Sequence, residues 1–375
     1  MSSLDNFLQQ KIQRRKDENS FRALKQINSL VDFTSNDYLG LAQSKLLYDQ
    51  ILERIDTLSL KSNGAAGPRL LSGNTAYTEN VEKKLATIFR GEASLIFNSG
   101  FFANVSVLSS IPQKGDTILY DERAHASIKD GARLSLANRF SFKHNDLDDL
   151  ERKIKVSAGK KFIVIESIYS MDGDSSPLAA ITKLAERYDA FIVLDEAHST
   201  GVLGANGSGL ATSLALENKV DIRIYTFGKA MGCHGACVVG SKNLIDYLVN
   251  FARPFIYTTA LPIHNIVTID CAFEFLSRNI GLQQQLSNNV ALFTSKLKST
   301  STSAIQAIII PGNNNVRNVA DELQRKGFDV RAILSPTVAT GLERLRICLH
   351  AYNTHDDIVE LSEIINELKQ KYLTK

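Results

Sequence analysis

The sequence lacks the features that mark membrane-spanning and exported chains. No run of about 18 apolar residues occurs among its 375 residues, so a transmembrane helix is not expected. Its first stretch, MSSLDNFLQQKIQRRKDEN, has no apolar core of the kind that a signal peptide contains. We therefore expect a soluble, cytoplasmic protein that binds no membrane.

Cysteine is also scarce. The chain has 4 cysteines whose spacing forms no paired framework, so we expect free thiols in a reducing compartment. Cys233, His234 and Cys237 look like part of a metal site, but structural zinc needs a full tetrahedral set of ligands and no second cluster completes it. Small residues packed in a turn explain this stretch better, and no metal is expected.

An excess of one charge is missing as well. The chain has 43 lysines and arginines and 40 aspartates and glutamates, and a net charge of +3 is too small to indicate nucleic acid as a partner. The tetrapeptide DEAH at 195–198 occurs in some nucleic-acid ATPases, but these need G-x-x-x-x-G-K-[ST], and here Lys229 is followed by Ala230. Neither observation favours a nucleic-acid-binding protein.

Apolar residues make up 44% of the chain, enough for a sizeable core, and a prior of roughly 150 residues per domain suggests about two domains. Between residues 93 and 239 they form short continuous runs, typical of strands covered on both faces, with helical stretches between them. This pattern predicts an α/β fold with a mostly parallel central sheet. The predicted strands are Ala93–Asn98, Thr117–Tyr120, Phe162–Ile168, Phe191–Leu194, Ile222–Phe227 and Ala236–Val239.

The two ends of the chain follow other patterns. Residues 3–19 carry apolar side chains at helical spacing, which predicts an amphipathic helix that packs on the body or on a partner subunit. After Pro262 longer helical patterns alternate with short strand patterns. The predicted helices are 263–278, 282–299 and 356–372, and the predicted strands lie near 304–310 and 344–349. We therefore predict an N-terminal helical segment over 1–35, a large α/β domain over 36–264 and a smaller α+β domain over 265–375.

Reactive side chains follow the predicted strands, at the edge where parallel sheets bind ligands. They are His125, Glu166, Ser170, Asp195, His198 and Lys229. Alone, either carboxylate would also fit a helix cap, and His125 would fit a hydrogen-bonded structural histidine. Taken together, these residues indicate a catalytic site, because a desolvated lysine is a nucleophile suited to carbonyl groups.

Pyridoxal phosphate is the best-known carbonyl partner of such a lysine. Its ring acts as an electron sink when an acidic group faces the pyridine nitrogen, and Asp195 is a candidate for that group. Its phosphate needs backbone N–H groups at a helix start, which Ser99, Gly100 and Phe101 supply directly after a predicted strand. Thr226, three residues before Lys229, offers a hydroxyl.

Eight motifs, in order along the chain, resemble the α-oxoamine synthase family of fold-type-I pyridoxal-phosphate enzymes. The motifs are DFTSNDYLGLA at 32–42, GPRLLSGN at 67–74, SGFFAN at 99–104, HAS at 125–127, ESIYSMDGDSSPL at 166–178, DEAHSTGVLG at 195–204, TFGKAMGCHG at 226–235 and RLRICLHAYNT at 344–354. The resemblance implies the aspartate aminotransferase-like transferase fold, with a mostly parallel central sheet and a smaller C-terminal domain. Thr78, where the family usually has histidine, and GAAGPR at 64–69 depart from the family pattern.

The resemblance also implies a role for each matching residue of the cofactor site. Lys229 is expected to bind pyridoxal phosphate covalently, Asp195 to pair with the pyridine nitrogen, and His198 to lie near the ring hydroxyl. His125 is expected to stack on the ring. The residues implied to bind the phosphate or line the cofactor pocket are Gly100, Phe101, Thr226 and Ser170, with Thr258 and Thr259 reaching the neighbouring subunit's phosphate.

The substrate side of the site is implied in the same way. Asn36 and Arg346 match groups near the substrate carboxylate, for which a planar guanidinium suits bidentate binding. Glu166 matches a pocket-lining residue, and Arg22 is a further candidate for substrate binding. Because the family binds its cofactor between two subunits, we expect a homodimer with shared active sites.

The family joins an amino acid to an acyl thioester with loss of carbon dioxide. Two stretches favour the family members of biotin biosynthesis, which use alanine and a pimeloyl thioester. These stretches are IYTTALP at 256–262, followed by His264, and TFGKAMGCHGA. Members that use glycine and acetyl-CoA are the alternative, and other α-oxoamine synthases that share these motifs come behind them. Inactive, cofactor-free relatives typically lose the lysine, and this chain keeps Lys229, so we expect an active acyltransferase.

Overall fold

The computed structural model describes residues 2–24, 26, 29–58, 62–299 and 301–373. Contacts divide the chain into two compact units. The larger unit comprises residues 36–170 and 174–284, and the smaller comprises residues 1–35, 171–173 and 285–375. No helix among the described residues is both long and apolar enough to span a membrane.

The helices and strands of the described residues have the following bounds. The strands are β1 Val31–Asp32, β2 Ala93–Phe97, β3 Thr117–Asp121, β4 Asn138–Phe142, β5 Lys161–Glu166, β6 Ala190–Asp195, β7 Ile222–Thr226, β8 Ala236–Gly240, β9 Ile305–Ile309, β10 Phe328–Asp329, β11 Arg331–Ile333 and β12 Arg344–Cys348. The helices are α1 Ser3–Asp17, α2 Lys45–Thr57, α3 Ala76–Ile88, α4 Gly100–Ser110, α5 Ala126–Leu134, α6 Leu147–Val156, α7 Leu178–Arg187, α8 Leu210–Ser213, α9 Lys242–Phe251, α10 Arg253–Ile256, α11 Ile263–Arg278, α12 Gly281–Leu297, α13 Asn313–Arg325 and α14 His355–Leu373.

The larger unit is built around a seven-stranded sheet in the order β2-β8-β7-β6-β5-β3-β4. β8 runs antiparallel to both of its neighbours, and the other adjacent strands are parallel. Successive side chains of one strand enter different cores: Ile118 packs with α4, α5 and α9, whereas Leu119 packs with α6, α7 and α8. The predicted α/β fold with a mostly parallel sheet, covered on both faces, is therefore confirmed.

The smaller unit contains two short sheets. β9, β12 and β11 form an antiparallel sheet with β12 in the centre, and β1 pairs with β10 in parallel. Leu345 and Ile347 of β12 are fully buried. The predicted N-terminal helix is present as α1, but none of its residues is buried within the chain. Its packing on a partner subunit stays a prediction.

The boundary between the units differs from the predicted boundary at residues 264 and 265. Helix α11 packs on α2 and α3 and lies wholly in the larger unit, so the smaller unit resumes only at Gln285. Residues 1–35, predicted as a separate segment, group with the smaller unit. The difference at α11 arises because the apolar face of a helix does not specify which neighbour will cover it. Within the part of the chain that the structure describes, the four cysteines form no disulfide.

Candidate active site

Four neighbouring strands end in polar side chains at one edge of the large sheet. β3 ends at Asp121, β5 at Glu166, β6 at Asp195 and β7 at Thr226. The register places Glu166 beside Asp195 on adjacent parallel strands. This edge is the carboxyl end of the strands, where parallel sheets bind ligands.

Lys229 lies in the tight turn that follows β7. The turn closes through hydrogen bonds from the Cys233 N–H to the Phe227 carbonyl and from the Gly232 N–H to the Lys229 carbonyl. The Nζ atom of Lys229 lies 2.9 Å from Nε2 of His198, which follows β6. Lys229 and His198 are therefore brought together, as predicted for two residues of one site.

The other ring nitrogen of His198 contacts a tyrosine. His198 Nδ1 lies 2.8 Å from the hydroxyl of Tyr38, and that hydroxyl lies 3.2 Å from Oδ1 of Asn36. The side chains of His198 and Tyr38 are buried. Asn36, predicted near the substrate carboxylate, thus lies within the same hydrogen-bonded group as Lys229.

Both oxygens of Asp195 have a hydrogen-bond donor. The Ala197 N–H donates to Oδ1 at 2.9 Å, and the side-chain amide of Asn104 donates to Oδ2 at 2.6 Å. Asn104 lies on α4, is almost completely buried, and also donates to the Ser127 hydroxyl at 3.1 Å. The Asp195 carboxylate is thus held in one orientation at the end of a buried strand.

His125 is the N-cap of α5, where its Nδ1 accepts a hydrogen bond from the Ser127 N–H at 3.2 Å. Its own N–H donates to Oε1 of Glu166 at 2.5 Å, which fixes the residue against the end of β5. Burial lowers the pKa of His125 below its ordinary value, so the ring is neutral near pH 7. Burial and the nearby charge of Asp195 raise the pKa of Glu166.

The start of α4 forms a cradle for an anion. Ser99 caps the helix, with its hydroxyl accepting from the Phe102 N–H at 3.3 Å. A Cβ atom on Gly100 would lie 2.0 Å from Oγ1 of Thr226, so glycine is required for this close approach. Backbone N–H groups at a helix start and an adjacent hydroxyl are the donors that bind phosphate.

Thr258 and Thr259 lie next to this cradle. The side-chain amide of Asn98, two residues before α4, donates to the Thr259 carbonyl at 3.0 Å and lies 3.5 Å from the Thr258 hydroxyl. Their expected reach into a neighbouring subunit stays a prediction. Thr78, the departure from the family pattern, is buried in α3, where its hydroxyl bonds to the N-cap Thr75 at 2.8 Å.

Arg22, Arg346 and Ser170 are the remaining predicted site residues. Arg22 and Arg346 belong to the smaller unit, where Arg22 donates to the Thr337 hydroxyl at 3.0 Å and Arg346 Nη1 lies 3.0 Å from Cys348 Sγ. Ser170 lies in the turn after β5. The roles assigned to these three residues stay predictions.

Sequence reasoning missed two residues that contact the predicted site. Tyr38 lies within the quoted motif DFTSNDYLGLA and Asn104 within SGFFAN, yet neither was given a role. A buried amide in the mostly apolar helix α4 was a signal for Asn104, because buried polar groups need partners. Tyr38 gave no comparable signal, since its contact with His198 spans 160 positions of sequence.

A second polar cluster lies at the same edge of the sheet. His144, just after β4, has Nδ1 at 2.9 Å from Asp121 Oδ1 and Nε2 at 2.5 Å from Asp174 Oδ2. Its ring meets the Tyr169 ring edge to face, with centroids 4.6 Å apart. His144 therefore ties the end of β3 to the segment that follows β5.

The site fits pyridoxal phosphate. Lys229 supplies an amine, and Asp195 supplies a carboxylate that is held by two hydrogen-bond donors. The start of helix α4, where Gly100 packs closely on Thr226, supplies a cradle for an anion. Oδ1 of the buried Asn104 has no hydrogen-bond partner within the described chain, which leaves an acceptor in this polar pocket. An amine, a carboxylate and an anion cradle are the three groups that the aldehyde, the pyridine nitrogen and the phosphate require.

The chain belongs to the aminotransferase class I and II family, whose sequence pattern matches residues 28–365. Within this family it is similar to enzymes named 8-amino-7-oxononanoate synthase. It is 38% identical to that of Emericella nidulans over 96% of this chain and 95% of the relative. It is 36% identical to 8-amino-7-oxononanoate synthase 2 of Bacillus subtilis over 97% and 98% of the two chains.

Solved structures agree with this assignment. The 8-amino-7-oxononanoate synthase of Francisella tularensis matches with a TM-score of 0.78 and 30% identity, over 92% of this chain and 99% of the other. A serine palmitoyltransferase of S. paucimobilis with bound PLP matches with a TM-score of 0.90 over 100% of both chains, at 24% identity. The predicted family resemblance and the fold-type-I transferase fold are thereby confirmed.

Proposed function

We propose that the protein is an acyltransferase that uses pyridoxal 5'-phosphate to condense L-alanine with a pimeloyl thioester. The products are 8-amino-7-oxononanoate, carbon dioxide and the free thiol carrier, which is the reaction of biotin biosynthesis. The observation that carries this proposal is the convergence of Lys229, His198 and Asp195 at the carboxyl edge of the sheet. The relatives that share the name of this enzyme support it along nearly the full chain.

Each group of the site has a defined task in this reaction. Pyridoxal phosphate, when bound, supplies an aldehyde for amines and a ring that withdraws electrons from the amino-acid Cα. Lys229 would hold the aldehyde carbon, and Asp195 would keep a proton on the pyridine nitrogen. Gly100 and Phe101 of α4, with Thr226, would bind the phosphate.

Proton transfer depends on the same lysine. Once the alanine amine has displaced it from the aldehyde carbon, Nζ of Lys229 would be the base that takes the Cα proton of alanine, since general bases must lie within hydrogen-bond reach of the proton that they remove. His198, 2.9 Å from Nζ, can share that proton. His125, neutral at physiological pH, would pack on the ring without adding a positive charge.

The substrate contacts and the assembly are part of the proposal. Asn36 and Arg346 would bind the alanine carboxylate, and Arg22, Glu166 and Ser170 would complete the pocket. We infer a cytoplasmic homodimer. A patch of exposed aromatic and apolar side chains beside the start of α4 supports a second copy there, because large exposed patches mark interfaces. The patch comprises Phe101, Phe102, Leu134 and Tyr257.

A thiol-release assay tests the function. The protein is supplied with pyridoxal phosphate, with alanine or glycine, and with pimeloyl or acetyl thioesters of coenzyme A or of an acyl carrier protein. We expect thiol release with alanine and a pimeloyl thioester. Release only with glycine and acetyl-CoA would favour the alternative, glycine C-acetyltransferase, and no release with any pair would overturn the proposal. Light scattering should give twice the chain mass of 41.4 kDa.

A further inference from the structure

A chain of three hydrogen-bond contacts leads from Lys229 to Asn36. Lys229 Nζ lies 2.9 Å from His198 Nε2, His198 Nδ1 lies 2.8 Å from the Tyr38 hydroxyl, and that hydroxyl lies 3.2 Å from Asn36 Oδ1. His198 is 5% exposed and Tyr38 is 1% exposed, so water has little access to the two central members. Buried, connected hydrogen bonds polarise one another, and a change at one end alters the next bond.

The loop that carries Tyr38 is seated on the turn that carries Lys229. A Cβ atom on Gly232 would lie 2.3 Å from the backbone nitrogen of Ala42, so only glycine allows this approach. Asp37 holds the loop closed, because its Oδ1 accepts from the Ala42 N–H at 3.1 Å. Tyr38 is therefore placed by the backbone of two packed turns.

The protonation of Lys229 restricts the direction of these hydrogen bonds. An ammonium group can only donate, so His198 Nε2 must then accept and the ring proton sits on Nδ1. Nδ1–H in turn donates to the oxygen of Tyr38, and the Tyr38 hydroxyl donates to Asn36 Oδ1. A neutral amine can also accept, which permits the reverse order, with Nε2–H donating to Nζ and the Tyr38 hydroxyl donating to Nδ1.

We propose that Tyr38 is a positioning residue that sets the tautomer of His198 and, through it, the proton affinity of Lys229 Nζ. Its hydroxyl is the one group on this path that can both accept from Nδ1–H and donate to Nδ1. During turnover Nζ gains the Cα proton of the amino acid and later gives it up, and Tyr38 reverses direction with each change. The catalytic part rests on the proposed function, but the chain of contacts belongs to the protein itself.

The test uses the full-length protein without cofactor, labelled with nitrogen-15 in histidine. Tyr38→Phe keeps the buried ring and removes the hydroxyl. In the wild type at neutral pH we expect NMR to place the His198 proton on Nδ1. In Tyr38→Phe, where Nδ1–H has lost the Tyr38 oxygen as its acceptor, we expect the proton to shift toward Nε2, with the tautomer ratio changed about tenfold, as the loss of one buried hydrogen bond implies.

A second readout follows Lys229 directly. The pH dependence of Nζ acylation by an amine-reactive ester, measured by peptide mass spectrometry, should move to lower pH in Tyr38→Phe, because a protonated Nε2 cannot accept from an ammonium group. Glu166 and His125, which also interact electrostatically with Lys229, are retained in this variant. Asn36→Leu should act in the same direction, since removal of the amide oxygen at 3.2 Å favours donation by the Tyr38 hydroxyl to Nδ1.

Tyr77→Phe is the matched control, because its hydroxyl donates to Asp270 at 2.7 Å and takes no part in this chain of contacts. It should leave both readouts unchanged. An unaltered His198 spectrum in Tyr38→Phe, in a protein whose circular dichroism shows it to be folded, would overturn the inference. Because neither readout needs cofactor or substrate, a failed thiol-release assay would refute the proposed function and leave this result standing.

Discussion

Replacing His144 with glutamine should remove a pH-dependent contribution to the free energy of unfolding. The imidazole is held between Asp121 and Asp174, with the Tyr169 ring against it and Glu122 accepting from its backbone N–H at 3.2 Å. Burial on its own lowers the pKa of His144, but the hydrogen bonds to the two aspartates outweigh it and raise the pKa to about 9. The side chain is 10% exposed, so solvent screens it weakly.

The magnitude follows from this shift. The unfolded chain has a histidine pKa of about 6.5, so a rise to about 9 corresponds to at most about 3.4 kcal/mol. Asp174 exposes 40% of its side chain, and screening of that pair reduces the expected value to about 2 kcal/mol. Because the folded pKa is raised, the contribution is complete below about pH 6.5 and disappears as the pH rises through about 9.

Urea unfolding at about pH 6 and about pH 10 measures this contribution as the difference between the wild type and His144→Gln. Groups that titrate in both proteins cancel in that difference, which should shrink by about 2 kcal/mol at the higher pH. His355→Gln is the control, since that side chain is 72% exposed and should give no such change. A difference that is equal at both pH values would refute the role assigned to the pair of aspartates.

Three further substitutions test the cofactor site. Lys229→Ala should stay folded and lose the borohydride-sensitive absorbance of bound pyridoxal phosphate; retained turnover would show that the lysine is misassigned. Gly100→Ala should weaken cofactor binding by roughly tenfold or more in a fluorescence titration, because its Cβ would lie 2.0 Å from Thr226 Oγ1, and an unchanged affinity would remove this cradle from the phosphate site. Asn104→Ala should cost about 1.5–3 kcal/mol in urea unfolding, since the amide donates to the Asp195 carboxylate at 2.6 Å; a smaller loss would mean that the carboxylate does not need this donor.

The central strands could be predicted because their residues are buried on both faces. β5 and β6 read as continuous apolar runs for this reason. β4 was missed because it is an edge strand whose first three residues are exposed, so NRFSF carries no such run. The contact-based units divide at a place other than residue 264, because the sequence of α11 shows an apolar face but does not specify that α2 and α3 will cover it.

The reactive residues of the site were predictable for a different reason. Lys229 and Asp195 each follow a strand, and parallel strands bring their carboxyl ends to one edge, so the topology implied their proximity. The contacts that orient these residues were not predictable, since Asn104 reaches Asp195 across 91 positions of sequence. His144 was overlooked because its two aspartate partners become neighbours only when β3, β4 and the segment after β5 are assembled.

The most direct measurement of the proposed reaction follows the carbon atoms of alanine. The protein, loaded with pyridoxal phosphate, is given a pimeloyl thioester and alanine labelled with carbon-13 at the carboxyl carbon alone or at the methyl carbon alone. We expect the carboxyl label to leave as carbon dioxide and the methyl label to remain in 8-amino-7-oxononanoate, one molecule for each thiol released. Retention of the carboxyl label in the product, or thiol release without a condensed product, would contradict the assignment.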